Sequence, residues 1–127
     1  FELLVSLVQQ AERGIVLIDG YVDVGTLNIL AKKNEGASVT VWTRPKAKLT
    51  AKDVEIFNTQ YPMLTVLRID AFHDRFIILD GAEAYLVGAS LKDAGKKAFG
   101  ITRIEDAETV QAILARLGRA GEDGMQE

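Results

Sequence analysis

In the first half of the chain, segments with apolar residues at helical spacing alternate with short, continuous apolar runs that are typical of strands. The first helical face is formed by Leu4, Val5, Val8 and Ala11, and Gly14 is the predicted end of that helix. Residues 15–18 are an unbroken apolar run, which is typical of a strand buried on both faces. The next helical face is formed by Val24, Leu27, Leu30 and Ala31. Asp23 is placed to cap this second helix, and Gly36 marks its exit.

The following segment predicts another strand, a basic loop and a third helix. Residues 38–42 have strand character and lead into Thr43-Arg44-Pro45-Lys46. Thr50-Ala51-Lys52-Asp53 has the pattern of a capping box, and Pro62 closes the helical segment behind it. The apolar face of this helix is formed by Val54, Phe57 and Tyr61. Trp42 is predicted to lie in the core.

The second half predicts mainly strands, over residues 64–69, 72–79, 83–87 and 98–104. Asp80-Gly81 favours a hairpin turn between two of them. Asp106 is placed to cap a last helix that Gly118 ends, and residues 119–127 are a polar tail predicted to fray. The core face of that helix is formed by Val110, Ile113, Leu114 and Leu117. The order of elements predicts an α/β fold, a mixed sheet with helices on both faces.

Length and composition limit the classes of protein. With 127 residues, 48% hydrophobic and 26% charged, the chain fits one globular domain, which we expect over residues 1–118. It begins with Phe1 in helical sequence, so we expect it to be a piece of a longer protein. No apolar run approaches the roughly 20 residues of a membrane span, and no signal peptide is evident, so a cytoplasmic domain away from membranes is predicted. With no cysteine and one histidine, no disulfide, thiolate metal site or multi-histidine zinc site is available, and no cofactor is implied.

Charge is distributed unevenly around a net value of −3. Residues 31–52 hold six lysines and arginines against Glu35 alone, whereas residues 104–127 are mainly acidic. A locally basic surface attracts phosphates even on an acidic protein. The alternative is an ordinary solvated loop.

His73 and Arg75 are the residues that most strongly suggest a functional site. Because they are two residues apart on a predicted strand, their side chains point to the same face of the sheet. Such a pair suits a phosphate ligand, which Arg75 would bind while His73 acts as base or nucleophile. The turn at Gly88-Ala89-Ser90 can add backbone N–H groups and a hydroxyl. Asp19, Tyr21 and Asp23 follow the first strand, where open α/β sheets bind ligands.

These residues resemble the phospholipase D superfamily, whose HKD signature is H-x-K-x4-D followed, after a strand, by a Gly-Ser-x-Asn turn. His73, Arg75 and Asp80 match the spacing. Residues 15–21, 39–44 and 98–117 resemble further core elements of the family. The resemblance implies a phospholipase D-like half with His73, Arg75 and Asp80 as catalytic residues. Phosphate-binding residues would be Ser90, Lys92, Tyr21 and Arg44.

Three departures from the family pattern leave two hypotheses open. Arg75 replaces lysine, the asparagine of the turn is absent, and residues 97–99 lack a glutamate that is common there. The first hypothesis is a metal-independent phosphodiesterase or nuclease that forms a phosphohistidine on His73. Because the chemistry needs two histidines and the chain has one motif, it requires a homodimer. The second is an inactive module for nucleic-acid or anion binding, or for dimerisation.

Alternatives also stay open for the class of enzyme and for the roles of single residues. A lipid-headgroup enzyme is disfavoured because no amphipathic membrane-seeking stretch is evident. His73 has an alternative as a structural or surface histidine, and Asp80 as a hairpin residue. Asp23 has one as a plain N-cap. The alternative for Ser90 and Lys92 is that they cap a short helix and face solvent.

Overall fold

The computed structural model describes residues 2–70, 74–88 and 100–125, with side chains described up to residue 119. Within these ranges, the helices are α1 (Glu2–Gln10), α2 (Val24–Leu30), α3 (Ala51–Gln60) and α4 (Ala107–Met125). The strands are β1 (Gly14–Ile18), β2 (Ser38–Thr43), β3 (Leu64–Arg68), β4 (Arg75–Leu79), β5 (Glu83–Val87) and β6 (Ile101–Ile104). No described helix is long and apolar enough to span a bilayer.

The strands form one mixed sheet in the order β3-β2-β1-β4-β5-β6. The first three strands are parallel, with α2 and α3 as the crossover helices between them. The last three are antiparallel to their neighbours. Strand β1 lies at the change of direction, parallel to β2 on one side and antiparallel to β4 on the other.

Helices cover both faces of this sheet, which confirms the predicted fold class. Helices α1, α2 and α3 pack on the face that carries Leu17, Val41 and Ile77. Helix α4 packs through Val110 and Leu117 on the other face. Its sheet partners are Val16, Ile18, Trp42, Phe76 and Ile78. Trp42 is 8% exposed, so its predicted place in the core is confirmed.

Local signals mark two helix starts and one hairpin turn correctly. Asp23 caps α2, where its carboxylate accepts a hydrogen bond from the Thr26 amide, and Thr50 forms the predicted capping box with Asp53. At the β4–β5 hairpin, Asp80 and Gly81 have φ values of 54° and 68°. Both lie in the left-handed region, which aspartate and glycine tolerate better than most residues.

Several boundaries and one face differ from prediction. Helix α1 ends at Gln10 rather than at Gly14, which is the first residue of β1, and α2 ends at Leu30 rather than near Gly36. Helix α4 continues through Gly118 to Met125, because a glycine inside a helix costs only about 1 kcal/mol and ends it only where the chain turns. Val24 is 51% exposed although the pattern placed it on the buried face of α2. Strands β4 and β6 begin at Arg75 and Ile101. Residues 72–73 and 98–99 of the predicted strands lie outside the described ranges.

Candidate functional site

One edge of the sheet gathers the carboxyl ends of β1 and β2. Because β4 runs antiparallel to β1, its first residue, Arg75, starts at this same edge. The loops after β1 and β2 therefore lie beside the start of β4. In open α/β sheets this edge, at a change in strand order, is the usual place for ligands.

A buried carboxylate lies at the base of this edge. Asp19 directly follows β1 and is 1% exposed, and its Oδ1 accepts a hydrogen bond of 2.9 Å from the Tyr21 amide. The same oxygen is 3.9 Å from Nε of Arg75, whose side chain is 30% exposed. Ile18 and Phe76 face each other across β1 and β4, so Asp19 and Arg75 are the next pair along the two strands. Asp19 therefore holds one side of the Arg75 guanidinium.

Two guanidinium groups meet at the exposed ring of Tyr21. Nη1 of Arg44 donates a hydrogen bond of 2.9 Å to the Tyr21 hydroxyl, and Cζ of Arg44 is 4.7 Å from the ring centroid. Cζ of Arg75 is 5.6 Å from the same centroid. Both distances are within the roughly 6 Å of a cation–π contact. We name Asp19, Tyr21, Arg44 and Arg75 the arginine–tyrosine site.

Gly20 makes room for the Arg44 side chain. A Cβ atom on Gly20 would lie 2.9 Å from Nε and 3.1 Å from Cδ of Arg44, closer than real side chains approach. Nε of Arg44 and Nε of Arg75 are buried and have no hydrogen-bond partner among the described residues. Buried donors without a partner are rare in folded proteins, and an ordered water or ion often fills that role. Because these Nε atoms are buried, the donors that bind an anion would have to be the terminal Nη groups of the two guanidiniums.

The loop from β2 to α3, residues 44–50, extends the positive charge. We name it the lysine loop, because Lys46 and Lys48 are both exposed on it. Gly20, Tyr21, Val22, Asp23, Arg44, Lys46, Ala47 and Lys48 line a cavity of about 150 Å³ between this loop and the arginine–tyrosine site.

Arg68, at the end of β3, fixes the lysine loop, and the sequence alone did not single it out. Its guanidinium donates to the carbonyl oxygens of Arg44 (3.4 Å), Pro45 (3.2 Å) and Ala47 (3.2 Å), and also to that of Leu49. Arg68 pairs with Thr43, the residue before the loop, in the parallel register of β2 and β3. Only that register indicates the contact.

Asp80 lies at the opposite end of β4 from Arg75. The two are five positions apart along the chain, or about 17 Å in extended strand. The Asp80 carboxylate accepts hydrogen bonds from the amides of Glu12, Arg13 and Gly14 at 2.7–3.1 Å. These backbone donors lower the pKa of Asp80 below its usual value of 3.8. The described contacts tie the hairpin to the start of β1. The predicted support of catalysis by Asp80 stays a prediction.

The described ranges contain only part of the predicted site. His73, Ser90 and Lys92 lie outside them, so the roles predicted for these three residues stay predictions. Tyr21, Arg44 and Arg75, predicted for separate reasons, are brought together on one ring. Asp19 was noted in the sequence only as a residue after the first strand. Its pairing with Arg75 depends on the antiparallel register of β1 and β4.

Comparison with known proteins shows similarity in structure. No protein-family profile and no curated protein sequence matches the chain. Nuc from Salmonella typhimurium, a phospholipase D family member, superposes with a TM-score of 0.70 and 14% identity, over 95% of this chain and 86% of that one. NucT from Helicobacter pylori gives 0.72 and 14% with the same coverage. TrmBL2, an archaeal chromatin protein with a novel mode of DNA binding, gives 0.61 and 16% over 94% of this chain and 47% of that one.

Proposed function

We propose that this chain, which has a phospholipase D-like fold, binds phosphodiester groups of nucleic acid at the arginine–tyrosine site. The observation that carries the proposal is the meeting of Arg44 and Arg75 at the exposed ring of Tyr21. Arg75 is also the basic residue that matches the HKD spacing. The geometry at Tyr21 and the motif position of Arg75 therefore support the same edge of the sheet, whereas Asp80 lies at the other end of β4.

Phosphate is the ligand that best fits two guanidinium groups. Each guanidinium offers several N–H donors in a planar fork, which matches the oxygens of a phosphodiester. Asp19 offsets part of the charge of Arg75, while Lys46 and Lys48 add positive charge nearby. The lysine loop is locally basic on a chain with a net charge of −3, although the carboxylates of Asp23 and Asp70 lie beside it.

Nucleic acid is favoured over lipid as the source of the phosphodiester. The sequence shows no amphipathic stretch suited to a membrane surface. TrmBL2 shares this fold and binds DNA, which supports a nucleic-acid ligand for the same architecture. The basic lysine loop beside the site is consistent with a ligand that carries several negative charges.

The catalytic form of the proposal uses His73 as nucleophile, as the family resemblance implies. A ring nitrogen of His73 attacks phosphorus, and the bond from phosphorus to the leaving oxygen breaks. That oxygen takes a proton from His73 of a second copy of the chain. Water then attacks the phosphohistidine and gives a proton to His73 of the second copy, which releases the phosphate monoester and restores both histidines. This form requires a twofold dimer with facing sites, and Ser90 and Lys92 would add contacts to the phosphate.

A binding module without turnover is the second candidate, and a specific contact favours it. Arg75 stands where the family has lysine, and its Nε lies against the Asp19 carboxylate. A guanidinium held in this way suits stable anion binding, since it presents its remaining donors in one orientation. The absence of the family's asparagine in the turn favours the same candidate.

One set of variants tests the proposal and separates its two forms. We would measure the affinity for labelled single- and double-stranded oligonucleotides by fluorescence anisotropy, cleavage of the same strands, and mass in solution. Arg75→Ala should weaken binding by about 10- to 100-fold, because it removes a charge-assisted contact. Lys32→Ala, an exposed lysine at the other edge of the sheet, is the matched control and should bind normally.

His73→Ala decides between catalysis and binding. In the catalytic form it should abolish cleavage and leave affinity almost unchanged, because the nucleophile acts in the transition state. In the binding form the unaltered protein shows no cleavage to lose. Full cleavage by a monomer would contradict the dimeric mechanism. If the unaltered protein does not bind either oligonucleotide at low salt, or if Arg75→Ala binds like the unaltered protein, the proposal is wrong.

A further inference from the structure

The lysine loop has a well-anchored backbone and lies next to the arginine–tyrosine site. Two residues of the loop are anchored in the fold, since Leu49 is 1% exposed and Ala47 packs against the same core. The two lysines alternate with these anchors, and both are exposed. The Ala47 amide also closes a turn by donating to the Arg44 carbonyl at 3.1 Å. The ammonium groups therefore project from a fixed backbone.

Arg68, at the end of β3, anchors the lysine loop. Its guanidinium bonds to the carbonyl oxygens of four loop residues. Arg68 itself is exposed, and its charge beside the loop adds to the potential of Lys46 and Lys48. A loop ordered before binding loses less conformational entropy when a ligand arrives, which favours affinity.

The cavity between the loop and Tyr21 has the charge and size for a phosphate. Arg44, Lys46 and Lys48 line it together with a single carboxylate, that of Asp23. Oδ1 of Asp23 is already engaged as the N-cap acceptor for the Thr26 amide. A volume of about 150 Å³ corresponds to several waters at roughly 30 Å³ each, which is enough for a phosphate group.

From this geometry we infer that the lysine loop is a second phosphate subsite, joined to the arginine–tyrosine site through Arg44. The ligand is then a polynucleotide strand that places successive phosphodiesters on the two subsites. Arg68 is a positioning residue that holds Lys46 and Lys48 in place. This inference rests on the proposed function, because the first phosphate must bind beside Tyr21.

The double variant Lys46→Ala/Lys48→Ala tests the second subsite. We would compare its affinity for a single-stranded 10-mer with its affinity for a dinucleotide that has one phosphodiester, each measured over a range of salt concentrations. The variant should lose roughly tenfold in 10-mer affinity and much less in dinucleotide affinity. The slope of log affinity against log salt for the 10-mer should fall by about 0.7, since the second subsite takes one phosphate and each phosphate contact on a single strand contributes about 0.7.

A matched variant controls for the change in net charge. Lys32→Ala/Arg103→Ala removes two exposed cations from parts of the sheet away from the site. It should alter 10-mer affinity by less than about twofold at 0.15 M salt, where the Debye length is about 8 Å. Equal losses in the two double variants would overturn the second subsite, because net charge alone would then explain them.

Arg68→Leu tests the positioning role. It should lower 10-mer affinity, and it should add little when combined with Lys46→Ala/Lys48→Ala, because the residues it positions are then absent. Fully additive losses would contradict that role. If Arg68→Leu does not fold, the surface lysine variant still decides the inference.

The two proposals fail in different ways. If the unaltered protein binds neither the 10-mer nor the dinucleotide, the proposed function is wrong and the second subsite with it. If the protein binds both and Lys46→Ala/Lys48→Ala keeps the same ratio of affinities, only the second subsite is wrong.

Discussion

The carboxylate of Asp19 lies 3.9 Å from Nε of Arg75, where β1 and β4 run side by side in opposite directions. Asp19 is almost fully buried and Arg75 is partly exposed, so the pair has one end in the protein and one at the surface. This arrangement fixes the direction of the guanidinium and neutralises part of its charge. It also gives a physical reason for arginine at the position where the phospholipase D signature has lysine, because one planar group reaches both Asp19 and the Tyr21 ring.

Arg75→Lys should weaken anion binding. A lysine ammonium is compact and cannot both contact the Asp19 carboxylate and lie against Tyr21 while it presents donors to a phosphate. We expect roughly a three- to tenfold loss in oligonucleotide affinity by fluorescence anisotropy, less than for Arg75→Ala. A gain in cleavage activity would contradict this expectation, and it would indicate that lysine restores an active family site.

Asp19→Asn should strengthen anion binding at low salt. Two unit charges about 6 Å apart interact by roughly 2–3 kcal/mol at an effective dielectric constant near 20, and salt screens part of this. Removal of the negative charge should therefore raise oligonucleotide affinity by about three- to tenfold, while asparagine can still accept from the Tyr21 amide. The measurement is a binding titration in 20 mM and 200 mM salt. A loss of affinity instead would contradict this expectation and would mean that the orientation of Arg75 by the Asp19 charge outweighs the repulsion between that charge and the anion.

Gly20→Ala should impair the site with little effect on the fold. The added Cβ would meet the Arg44 side chain at 2.9–3.2 Å, and a flexible side chain can move away at low cost in stability. Arg44 would then leave the Tyr21 hydroxyl, and we expect a loss of about tenfold in affinity from one charge-assisted contact. Gly36→Ala is the control, because nothing lies within 4 Å of its added Cβ. Similar binding by both variants would show that the position of Arg44 is unimportant.

Asp80→Asn should destabilise the protein at neutral pH and not in acid. Backbone donors lower the folded-state pKa of Asp80 below 3.8, so the ionised carboxylate stabilises the fold above the unfolded-state pKa. That stabilisation is lost as the pH falls through the lower folded-state pKa. The Tm difference between the two proteins should persist from pH 7 to about pH 4 and close below it. Asparagine tolerates the left-handed φ of this turn, so backbone strain does not confound the comparison.

The same variant tests the role of Asp80 at the site. If its function is to tie the hairpin to β1, Asp80→Asn should bind oligonucleotides normally well below its Tm. A loss of affinity or cleavage in the fully folded variant would support the catalytic role that the family spacing predicts.

Signals from neighbouring residues determined two helix starts and the hairpin turn. The caps at Asp23 and Thr50 and the turn at Asp80-Gly81 each depend on hydrogen bonds or φ values within a few residues, so the sequence contains the whole interaction. The end of α4 was not predictable in the same way. Gly118 permits a helix end without requiring one, and the chain beyond it continues as helix.

The sequence by itself singled out three candidates for phosphate binding: Tyr21 and Arg44 after predicted strands, and Arg75 in the HKD spacing. Only the tertiary structure decided that these three meet at one ring, that Asp19 pairs with Arg75, and that Arg68 holds the lysine loop. The physical reason is that these contacts depend on strand order and register. Those are set by the packing of residues far apart in the chain, and apolar runs such as 15–18 and 76–79 show burial without showing which strand lies beside them.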